Sequence, residues 1–353
     1  MRKNRWLAPA VVLATLLAQA GADPSFAQTR STLDIYVIDV EGGNATLFVP
    51  PSGESLLIDT GNVAPAAAVR DAGRIMEAIK DARLAQIDNL IITHWHGDHY
   101  GGLAELAKQI RIRNFIDHGP NAQPAPAVDE FLAKVYPQLY AGARHTVAKP
   151  GDRIALGAVD VRVVTSAGET IKAPVPGGGA PNPYCAIFRE GQANAEDPMS
   201  VGIHVAFGLF RTIHLGDLTK NKEFELMCPE NRIGAVDLFL GLHHGQDTSN
   251  SEVVIHATRP RVGIMNNGTR KGGEPDTMMV LHTSPGLEDL WQTDLVREGG
   301  EKGHNAPERL IANVEERGTE DRYIKLSALA DGSFTVTNPR SGFSRRYPPR
   351  VRP

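Results

Sequence analysis

Apolar runs separated by glycine and proline predict a series of short strands in the first part of the chain. Residues 33–40 and 45–49 are rich in aliphatic and β-branched side chains, and Pro50-Pro51-Ser52-Gly53 separates them from a third run at 55–59. Residues 66–83 place apolar side chains at helical spacing, with charged side chains on the opposite face. The pattern predicts three strands followed by an amphipathic helix.

The rest of the chain continues this alternation around one expanded segment, residues 119–199. Within it, 131–140 is predicted to be helical although Pro137 interrupts it, and 153–164 is predicted to be a β-hairpin. The other predicted elements are strands at 87–92, 110–116, 200–207, 209–215, 236–240 and 262–265, helices at 100–109, 222–227 and 277–281, and a hairpin across Asp331-Gly332. This order favours a layered α/β sandwich.

The second part of the expanded segment has the composition of a long loop. Residues 173–199 are rich in proline, glycine and alanine. A loop of that length within a compact domain is typical of a disordered stretch, a lid or a binding loop. We hypothesise that residues 165–199 act as a lid over a cleft.

The amino terminus has the pattern of a secretory signal peptide. Arg2, Lys3 and Arg5 form a positive region, residues 6–18 are apolar, and Ser25-Phe26-Ala27 is a plausible cleavage site. The pattern predicts a signal peptide over 1–27 and a periplasmic or secreted protein in which 28–353 form one domain. An uncleaved anchor is the alternative, although the apolar run is short for a membrane span, and we expect no stable span after cleavage.

Charge and cysteine content narrow the classes of partner. The formal net charge is −4 and no lysine or arginine tract is present, which disfavours a general nucleic-acid-binding role but leaves local basic patches open. The two cysteines, Cys185 and Cys228, can pair in an oxidising compartment, but the sequence does not show whether they are close. Neither belongs to a Cys-x-x-Cys motif, which disfavours a thiol metal site.

The main chemical signal is Thr93-His94-Trp95-His96-Gly97-Asp98-His99, which follows the apolar run 90–92. Imidazole and carboxylate groups are the usual ligands of zinc, and they also suit iron or manganese. Alternation places His94 and His96 on one side of an extended segment, while Asp98 and His99 turn into the next element. Four ligands at this spacing predict two adjacent metal ions, whereas a polar surface turn rarely contains three histidines.

Two later motifs also follow predicted strands. Leu215-Gly216-Asp217-Leu218 places a carboxylate at a strand end, where it can bridge two cations, although Gly-Asp also marks ordinary turns. Leu242-His243-His244-Gly245 places paired imidazoles after the strand 236–240. We predict His243 as the metal ligand, with His244 contacting substrate or supporting the site.

Taken in order, His94-x-His96-x-Asp98-His99, Gly216-Asp217 and His243 resemble the metallo-β-lactamase superfamily. The segments 37–45 and 58–61, the run His243 to Ser249 and Trp291-Gln292-Thr293-Asp294 make it similar to the hydrolase domain of the DNA-uptake protein ComEC and its relatives. That subgroup usually has Gly-Gln-Gly-Asp where this chain has Glu41-Gly42-Gly43-Asn44, and 119–199 has no clear counterpart. No long membrane-spanning region accompanies the motifs, so the resemblance does not imply DNA transport.

The resemblance implies a four-layered αββα metallo-β-lactamase-like sandwich and a ligand set for two divalent ions. His94 and His96 would hold the first ion, Asp98, His99 and His243 the second, and Asp217 would bridge them. Zinc is the expected metal, with manganese or iron as alternatives. No histidine occupies the usual place of a third ligand to the first ion, which leaves Asp197, His118 or water. In this fold an aspartate such as Asp59 typically orients the site, but a simple turn residue is an equal reading.

The expected activity is metal-dependent hydrolysis. Two cations about 3.5–4 Å apart lower the pKa of a bridging water and supply hydroxide. Asp98 and His244 are the predicted catalytic residues, and Lys271, in the flexible run 266–273, is a weaker candidate for a phosphate contact. The ComEC-like motifs favour a phosphodiester, either in a small nucleotide-like molecule or in a nucleic acid. The alternatives are a β-lactam or lactone hydrolase, a di-iron redox protein and a non-catalytic binding module.

Overall fold

A computed structural model describes residue 1 and residues 30–297, 305–315 and 323–351. The predicted signal peptide therefore lies, apart from Met1, outside the described residues. None of the helices in the described ranges combines the length and the apolar character needed to cross a membrane.

Twenty strands make up most of the regular structure of the described residues. The first part of the chain contributes β1 (Leu33–Ile38), β2 (Thr46–Val49), β3 (Leu56–Ile58), β4 (Asn89–Ile91), β5 (Asn114–Asp117) and β6 (Arg144–Val147). The middle contributes β7 (Arg153–Leu156), β8 (Val159–Ser166), β9 (Glu169–Thr170), β10 (Ala180–Pro181), β11 (Gly202–Phe207), β12 (Phe210–His214), β13 (Glu230–Asn231), β14 (Leu238–Gly241), β15 (Val262–Met265), β16 (Asp289–Asp294) and β17 (Ile311–Asn313). The end contributes β18 (Tyr323–Ala328), β19 (Phe334–Asn338) and β20 (Phe343–Tyr347).

These strands form two large mixed sheets. The first has the order β20-β19-β18-β1-β2-β3-β4-β5-β6, and the second has the order β17-β16-β15-β14-β12-β11-β8-β7 with β9 paired to β8. Strands β10 and β13 form a separate two-stranded sheet. The parallel strands of the first sheet are β3, β4, β5 and β6. The parallel strands of the second sheet are β12, β14, β15, β16 and β17.

The helices lie between the strands in the sequence. They are α1 (Pro65–Asp81), α2 (Gly97–Tyr100), α3 (Leu103–Ala107), α4 (Pro126–Glu130), α5 (Tyr136–Leu139), α6 (Lys220–Met227), α7 (Glu252–Thr258) and α8 (Pro275–His282). A π-helical turn, Phe131–Val135, joins α4 to α5. Short 3-10 turns occupy Pro183–Ile187, Asp197–Met199, Leu242–Gly245 and Glu308–Leu310.

Three apolar clusters define four layers. Strand β1 shows the principle, because Ile35 and Val37 pack between the two sheets whereas Tyr36 and Ile38 pack towards α1 and α3. Successive side chains of a strand point to opposite faces, so a strand buried on both sides contributes to two clusters. A third cluster joins the outer face of the second sheet to α6, α7 and α8. The αββα sandwich predicted from the sequence is therefore confirmed.

The structure corrects several predicted elements. The helix expected over 100–109 is split into α2 and α3 at Gly101-Gly102, where a Cβ on Gly101 would lie 2.0 Å from the Asn62 carbonyl carbon. The strand expected from residue 110 begins only at Asn114, and the helix expected over 131–140 consists of the π-helical turn and α5. Hairpins β7–β8 and β18–β19 lie where they were predicted, but β6, β16 and β20 were not predicted.

Cys185 and Cys228 form a disulfide, which settles the pairing that the sequence left open. It ties the 3-10 turn Pro183–Ile187 to the end of α6, across a sequence separation of 43. A crosslink over a loop of this length lowers the conformational entropy of the unfolded chain. This raises the free energy of unfolding by about 4 kcal/mol. We expect the double variant Cys185→Ala/Cys228→Ala to lose about that much free energy of unfolding in urea titration. An unchanged midpoint would show that the bridge does not stabilise the fold.

Candidate metal centre

The motif residues meet where strands of the two sheets end. The histidine cluster follows β4, Asp217 follows β12, and His243 and His244 follow β14. Strands β12 and β14 are parallel neighbours, so their carboxyl ends open at the same edge of the second sheet. Ligands of open α/β sheets commonly bind at such edges. The fold thus brings three distant sequence motifs to one place.

Asp59 is the central hydrogen-bond acceptor beneath the cluster. Its Oδ2 accepts hydrogen bonds from Asn44 Nδ2, Thr93 Oγ1 and His99 Nδ1, each at 2.8 Å, and its Oδ1 accepts one from the Thr93 backbone N–H at 2.7 Å. The side chain is fully buried. Asp59 therefore orients the cluster, and the alternative reading as a simple turn residue is wrong.

The glycine-rich segment Glu41-Gly42-Gly43-Asn44 contacts the backbone of Asp98. The Asn44 backbone N–H donates to the Asp98 carbonyl at 3.1 Å, and a Cβ on Gly43 would lie 2.5 Å from the same oxygen. Any side chain at Gly43 would therefore displace the loop that carries Asp98.

Hydrogen bonds at Nδ1 fix the tautomers of His243 and His244. Ser249 Oγ donates its hydrogen to the Leu218 carbonyl at 2.7 Å, so it accepts a hydrogen from His243 Nδ1 at 2.6 Å. His244 Nδ1 lies 3.1 Å from the Asn266 carbonyl, which can only accept. A neutral imidazole that carries its proton on Nδ1 presents a lone pair on Nε2. This is the arrangement in which imidazoles bind metals.

Three such Nε2 atoms converge on one carboxylate oxygen. His99, His243 and His244 place Nε2 at 3.2, 3.1 and 3.3 Å from Asp217 Oδ2. The Nε2 atoms of His99 and His244 are buried without a hydrogen bond of acceptable geometry to any described residue. Lone pairs and a carboxylate oxygen repel one another unless a cation lies among them. The donor set therefore fits divalent metal ions.

The first histidine pair has its own carboxylate. Asp197 Oδ1 lies 2.9 Å from His96 Nδ1 and 3.5 Å from His94 Nε2, and these two ring nitrogens are 3.0 Å apart. His118, the competing candidate, instead places Nε2 2.7 Å from Glu196 Oε1 and joins none of the donor sets found among the described residues. Asp197, and not His118, is therefore the side chain that lies beside His94 and His96.

The donors form overlapping sets whose ligand atoms lie within 4.8 Å of one another. One set contains Asp98, His99, Asp217 and His244, a second contains His94, His96 and Asp197, and a third contains Asp197, Asp217 and His243. Asp217 belongs to the first and third sets, as a bridging ligand would. His244, rather than His243, lies beside Asp98 and His99, whereas His243 faces Asp197. This division differs from the sequence-based assignment of His243 to the second ion.

Backbone conformation explains why His244, rather than His243, lies beside Asp98 and His99. Leu242, His243 and His244 have φ values of 54°, 43° and 55°, in the left-handed region that non-glycine residues seldom adopt. Asn250 Nδ2 donates to the Leu242 carbonyl at 2.8 Å and so holds the turn. Each such residue costs about 1–3 kcal/mol and persists where the surroundings enforce it, typically at functional sites. The tight turn directs both rings towards Asp217.

The electrostatic environment divides the imidazoles of the cluster. Burial opposes protonation of His99, but Asp217 and Asp98 hold its pKa well above the usual value, and neighbouring carboxylates also raise the pKa of His96 and of His244 against the effect of burial. Burial lowers the pKa of His94 well below its usual value, so this imidazole is neutral. Burial opposes ionisation of Asp217, but the His243 and His99 imidazoles hold the pKa of this carboxyl well below its usual value. The same holds for Asp98, where burial is outweighed by the neighbouring His99. Metal binding requires neutral imidazoles and ionised carboxylates.

We expect Ser249→Ala to weaken metal binding about tenfold, because loss of a hydrogen-bond partner behind a ligating histidine typically has this effect. The variant frees the Nδ1 proton of His243 without removing any ligand. Titration of the metal-free protein with Zn²⁺ or Mn²⁺ would measure the change in Kd, with Ser52→Ala on the exposed β2–β3 turn as the matched control. Identical affinities for the two variants would show that Ser249 does not position His243.

Comparisons with known proteins give partial matches to the chain. Residues 38–194 match the family model described as the metallo-beta-lactamase superfamily. The "lactamase-like protein aptB" of Emericella nidulans is 37% identical over 79 residues, which cover 20% of this chain and 24% of that protein. A hydroxyacylglutathione hydrolase of Rhodopseudomonas palustris is 29% identical over 122 residues, which cover 35% and 37%. The chain thus spans well under half the length of these relatives.

Solved structures resemble the chain at low sequence identity. The metallo-beta-lactamase fold protein YhfI of Bacillus subtilis has a TM-score of 0.40 at 11% identity, covering 74% of this chain and 86% of that one. CmlA, a diiron β-hydroxylase of Streptomyces venezuelae, has a TM-score of 0.38 at 13% identity, covering 67% and 44%.

Proposed function

We propose that this protein is a hydrolase of the metallo-β-lactamase superfamily and that it cleaves phosphodiesters at a centre of two divalent ions. The observation that carries the proposal is the convergence of the His99, His243 and His244 Nε2 atoms on Asp217, with the His94, His96 and Asp197 set beside it. Asp217 is placed to contact both ions. The substrate class is inferred from the charge at the edge of this centre and from the resemblance to ComEC-like hydrolases.

The roles of the residues follow from their positions. Two divalent ions held by these ligands would lower the pKa of a water molecule and polarise a substrate oxygen. Asp98 and Asp217 offer carboxylate oxygens that can orient such a water. Asp59 and Ser249 hold the His99 and His243 rings behind the ligands, so the donor atoms are in place before any ion or substrate arrives.

Lys271 supplies a positive charge at the rim of the centre. Its Nζ lies 2.5 Å from Asp98 Oδ2, and a third of its side chain is exposed. Its backbone carbonyl accepts from the Gly268 N–H at 2.9 Å, which shapes the flexible run into a turn. An ammonium group in this position can pair with a phosphodiester oxygen, while a neutral ester offers it no charge.

We expect Lys271→Ala to raise KM for bis(p-nitrophenyl) phosphate about tenfold, with a smaller change for the neutral ester p-nitrophenyl acetate. One charge-assisted hydrogen bond contributes about 1.5–3 kcal/mol, which corresponds to at least a tenfold change in binding. Steady-state kinetics on both substrates measure the effect, and Lys222→Ala on the surface of α6 is the matched control. Equal effects of Lys271→Ala on both substrates would contradict the role of this residue in anion binding.

Acyl transfer is the second candidate function. The matching relatives include hydroxyacylglutathione hydrolases and lactamase-like proteins, which favours a thioester, lactone or β-lactam. A panel of one phosphodiester, one thioester, one lactone and one β-lactam separates the two, because the proposal expects the highest kcat/KM for the phosphodiester. If kcat/KM is higher for the thioester, the lactone or the β-lactam than for the phosphodiester, acyl transfer replaces phosphodiester hydrolysis as the proposed activity. The di-iron redox alternative predicts a visible absorbance from bound iron in the purified protein.

Export to the periplasm or the medium belongs to the same proposal. The pattern of residues 1–27 motivates it, and the disulfide supports it, because such bonds form and persist mainly in oxidising compartments. Fractionation of cells that express the full chain, with amino-terminal sequencing of the product, tests it. An intact amino terminus in the cytoplasmic fraction would contradict export.

A further inference from the structure

Asp197 presents one oxygen of its side chain to the first histidine pair. It opens the 3-10 turn Asp197–Met199, and only 7% of its side chain is exposed. Its Oδ1 is buried and, among the described residues, has no hydrogen bond of acceptable geometry, although His96 Nδ1 lies at 2.9 Å. A buried carboxylate oxygen without a partner costs free energy unless a cation compensates it. The geometry directs this oxygen towards the place where His94 and His96 would hold an ion.

The other oxygen of Asp197 is held from behind. Asn194 Nδ2 donates to Asp197 Oδ2 at 2.5 Å, and Asn194 Oδ1 accepts the backbone N–H groups of Glu196 and Asp197, both at 2.8 Å. This Asx turn fixes both the backbone and the carboxylate of Asp197. Because Asn194 donates to Oδ2, Oδ1 is the oxygen of Asp197 that remains available to bind an ion.

The neighbouring Glu196 ties this segment to the histidine cluster. Its Oε1 accepts the backbone N–H of Trp95 at 2.8 Å, between His94 and His96, and its Oε2 accepts the N–H of Ala122 at 2.7 Å. The side chain of Glu196 is fully buried. The relative placement of Asp197 and the two histidines is thus built into the fold.

We propose that Asp197 is a ligand of the first ion, positioned by Asn194, and that this carboxylate shifts the metal preference of the first site from Zn²⁺ towards Mn²⁺. His243 lies with Asp197 and Asp217, so with Asp217 as the bridge the first site offers three imidazoles and two carboxylates. Asp98, His99 and His244 together with Asp217 give the second site two imidazoles and two carboxylates. Carboxylate ligands suit Mn²⁺, whereas imidazole suits Zn²⁺. The inference rests on the two-ion centre of the proposed function but not on its substrate.

The test measures metal binding rather than activity. Metal-free wild type, Asp197→Asn, Asn194→Ala and Asp197→His are titrated separately with Mn²⁺ and Zn²⁺ by calorimetry, and bound metal is counted by mass spectrometry after dialysis. Asn121→Ala is the matched control, because Asn121 caps a similar Asx turn at Gln123 but touches none of the donors. Circular dichroism checks that each variant is folded.

We expect wild type and Asn121→Ala to bind two ions, and Asp197→Asn to retain one. Asn194→Ala keeps the carboxylate but not its orientation, and its Kd for the first ion should rise about tenfold. Asp197→His should raise the ratio of the Mn²⁺ Kd to the Zn²⁺ Kd about tenfold. Should Asp197→Asn not fold, Asn194→Ala carries the test of the ligand assignment.

Three results would overturn the inference, and they are distinguishable. Two ions bound with unchanged Kd in Asp197→Asn and Asn194→Ala would remove Asp197 from the ligand set while leaving the two-ion centre intact. An unchanged Kd ratio in Asp197→His would remove the metal preference. Fewer than two ions in wild type would refute the two-ion centre itself, and with it both this inference and the proposed function.

Discussion

Replacement of Asp217 with alanine is expected to lower kcat/KM for bis(p-nitrophenyl) phosphate by about 10³-fold or more. Asp217 Oδ2 is the point on which three imidazole nitrogens converge, so its removal would deprive both proposed ions of a shared ligand. A metal centre stabilises the charge of a transition state by several kcal/mol, and each 1.36 kcal/mol corresponds to a factor of ten in rate. Steady-state kinetics together with the metal content of the variant measure both consequences.

The control for this experiment is Asp129→Ala, which removes an exposed carboxylate from α4. It should retain wild-type rates and two bound ions. Asp217→Ala with wild-type metal content and a rate reduced less than tenfold would contradict the bridging role. A fully active Asp217→Ala variant would contradict the whole assignment of the centre.

Replacement of Asp59 with alanine is expected to be the most destabilising single change near the site. It leaves Asn44 Nδ2, Thr93 Oγ1, the Thr93 N–H and His99 Nδ1 without their buried acceptor. Each unsatisfied buried donor costs about 1–3 kcal/mol, and removing one partner of a buried charged network commonly costs about 3–5 kcal/mol. We expect a loss of at least about 3 kcal/mol in the free energy of unfolding.

Urea titration of the metal-free protein measures this loss without the contribution of metal binding to stability. Asp88→Ala, which removes a partly exposed acceptor at the start of β4, is the matched control and should cost less. Metal titration of the folded Asp59 variant should show a Kd about 10–100-fold weaker, because His99 loses its orienting partner. A variant as stable as wild type, with unchanged metal affinity, would show that Asp59 is only a turn residue.

The residues of the candidate metal centre could largely be located from the sequence because they are local to strand ends. The run His94 to His99, Asp217 and the His243–His244 pair each follow an apolar strand, and parallel strands bring such ends together. The roles of His243 and His244 could not be assigned, because the choice depends on three consecutive left-handed residues. Histidine adopts that conformation more often than most non-glycine residues, but still so rarely that the sequence gives only a weak local signal for it.

The supporting residues were harder to recognise. Asn194, two and three positions before Glu196 and Asp197, has the spacing of an Asx turn, and this signal could have favoured Asp197 over the other candidates for the third position. Ser249 carried no comparable signal, because its role depends on the Leu218 carbonyl on another element. Strand β18 pairs with β1 across almost the whole chain, with Leu33 opposite Ala328, and non-local pairing of this kind leaves no periodic trace near either strand.

The most direct test of the account is hydrolysis of bis(p-nitrophenyl) phosphate by the folded, metal-loaded protein, with Asp98→Ala measured alongside. The account predicts turnover with Mn²⁺ or Zn²⁺ that falls by about 10³-fold in the variant, while circular dichroism shows that the variant remains folded. Absence of turnover from a wild-type protein shown to hold two ions would contradict phosphodiester hydrolysis. Wild-type rates from Asp98→Ala would contradict the assignment of the centre itself.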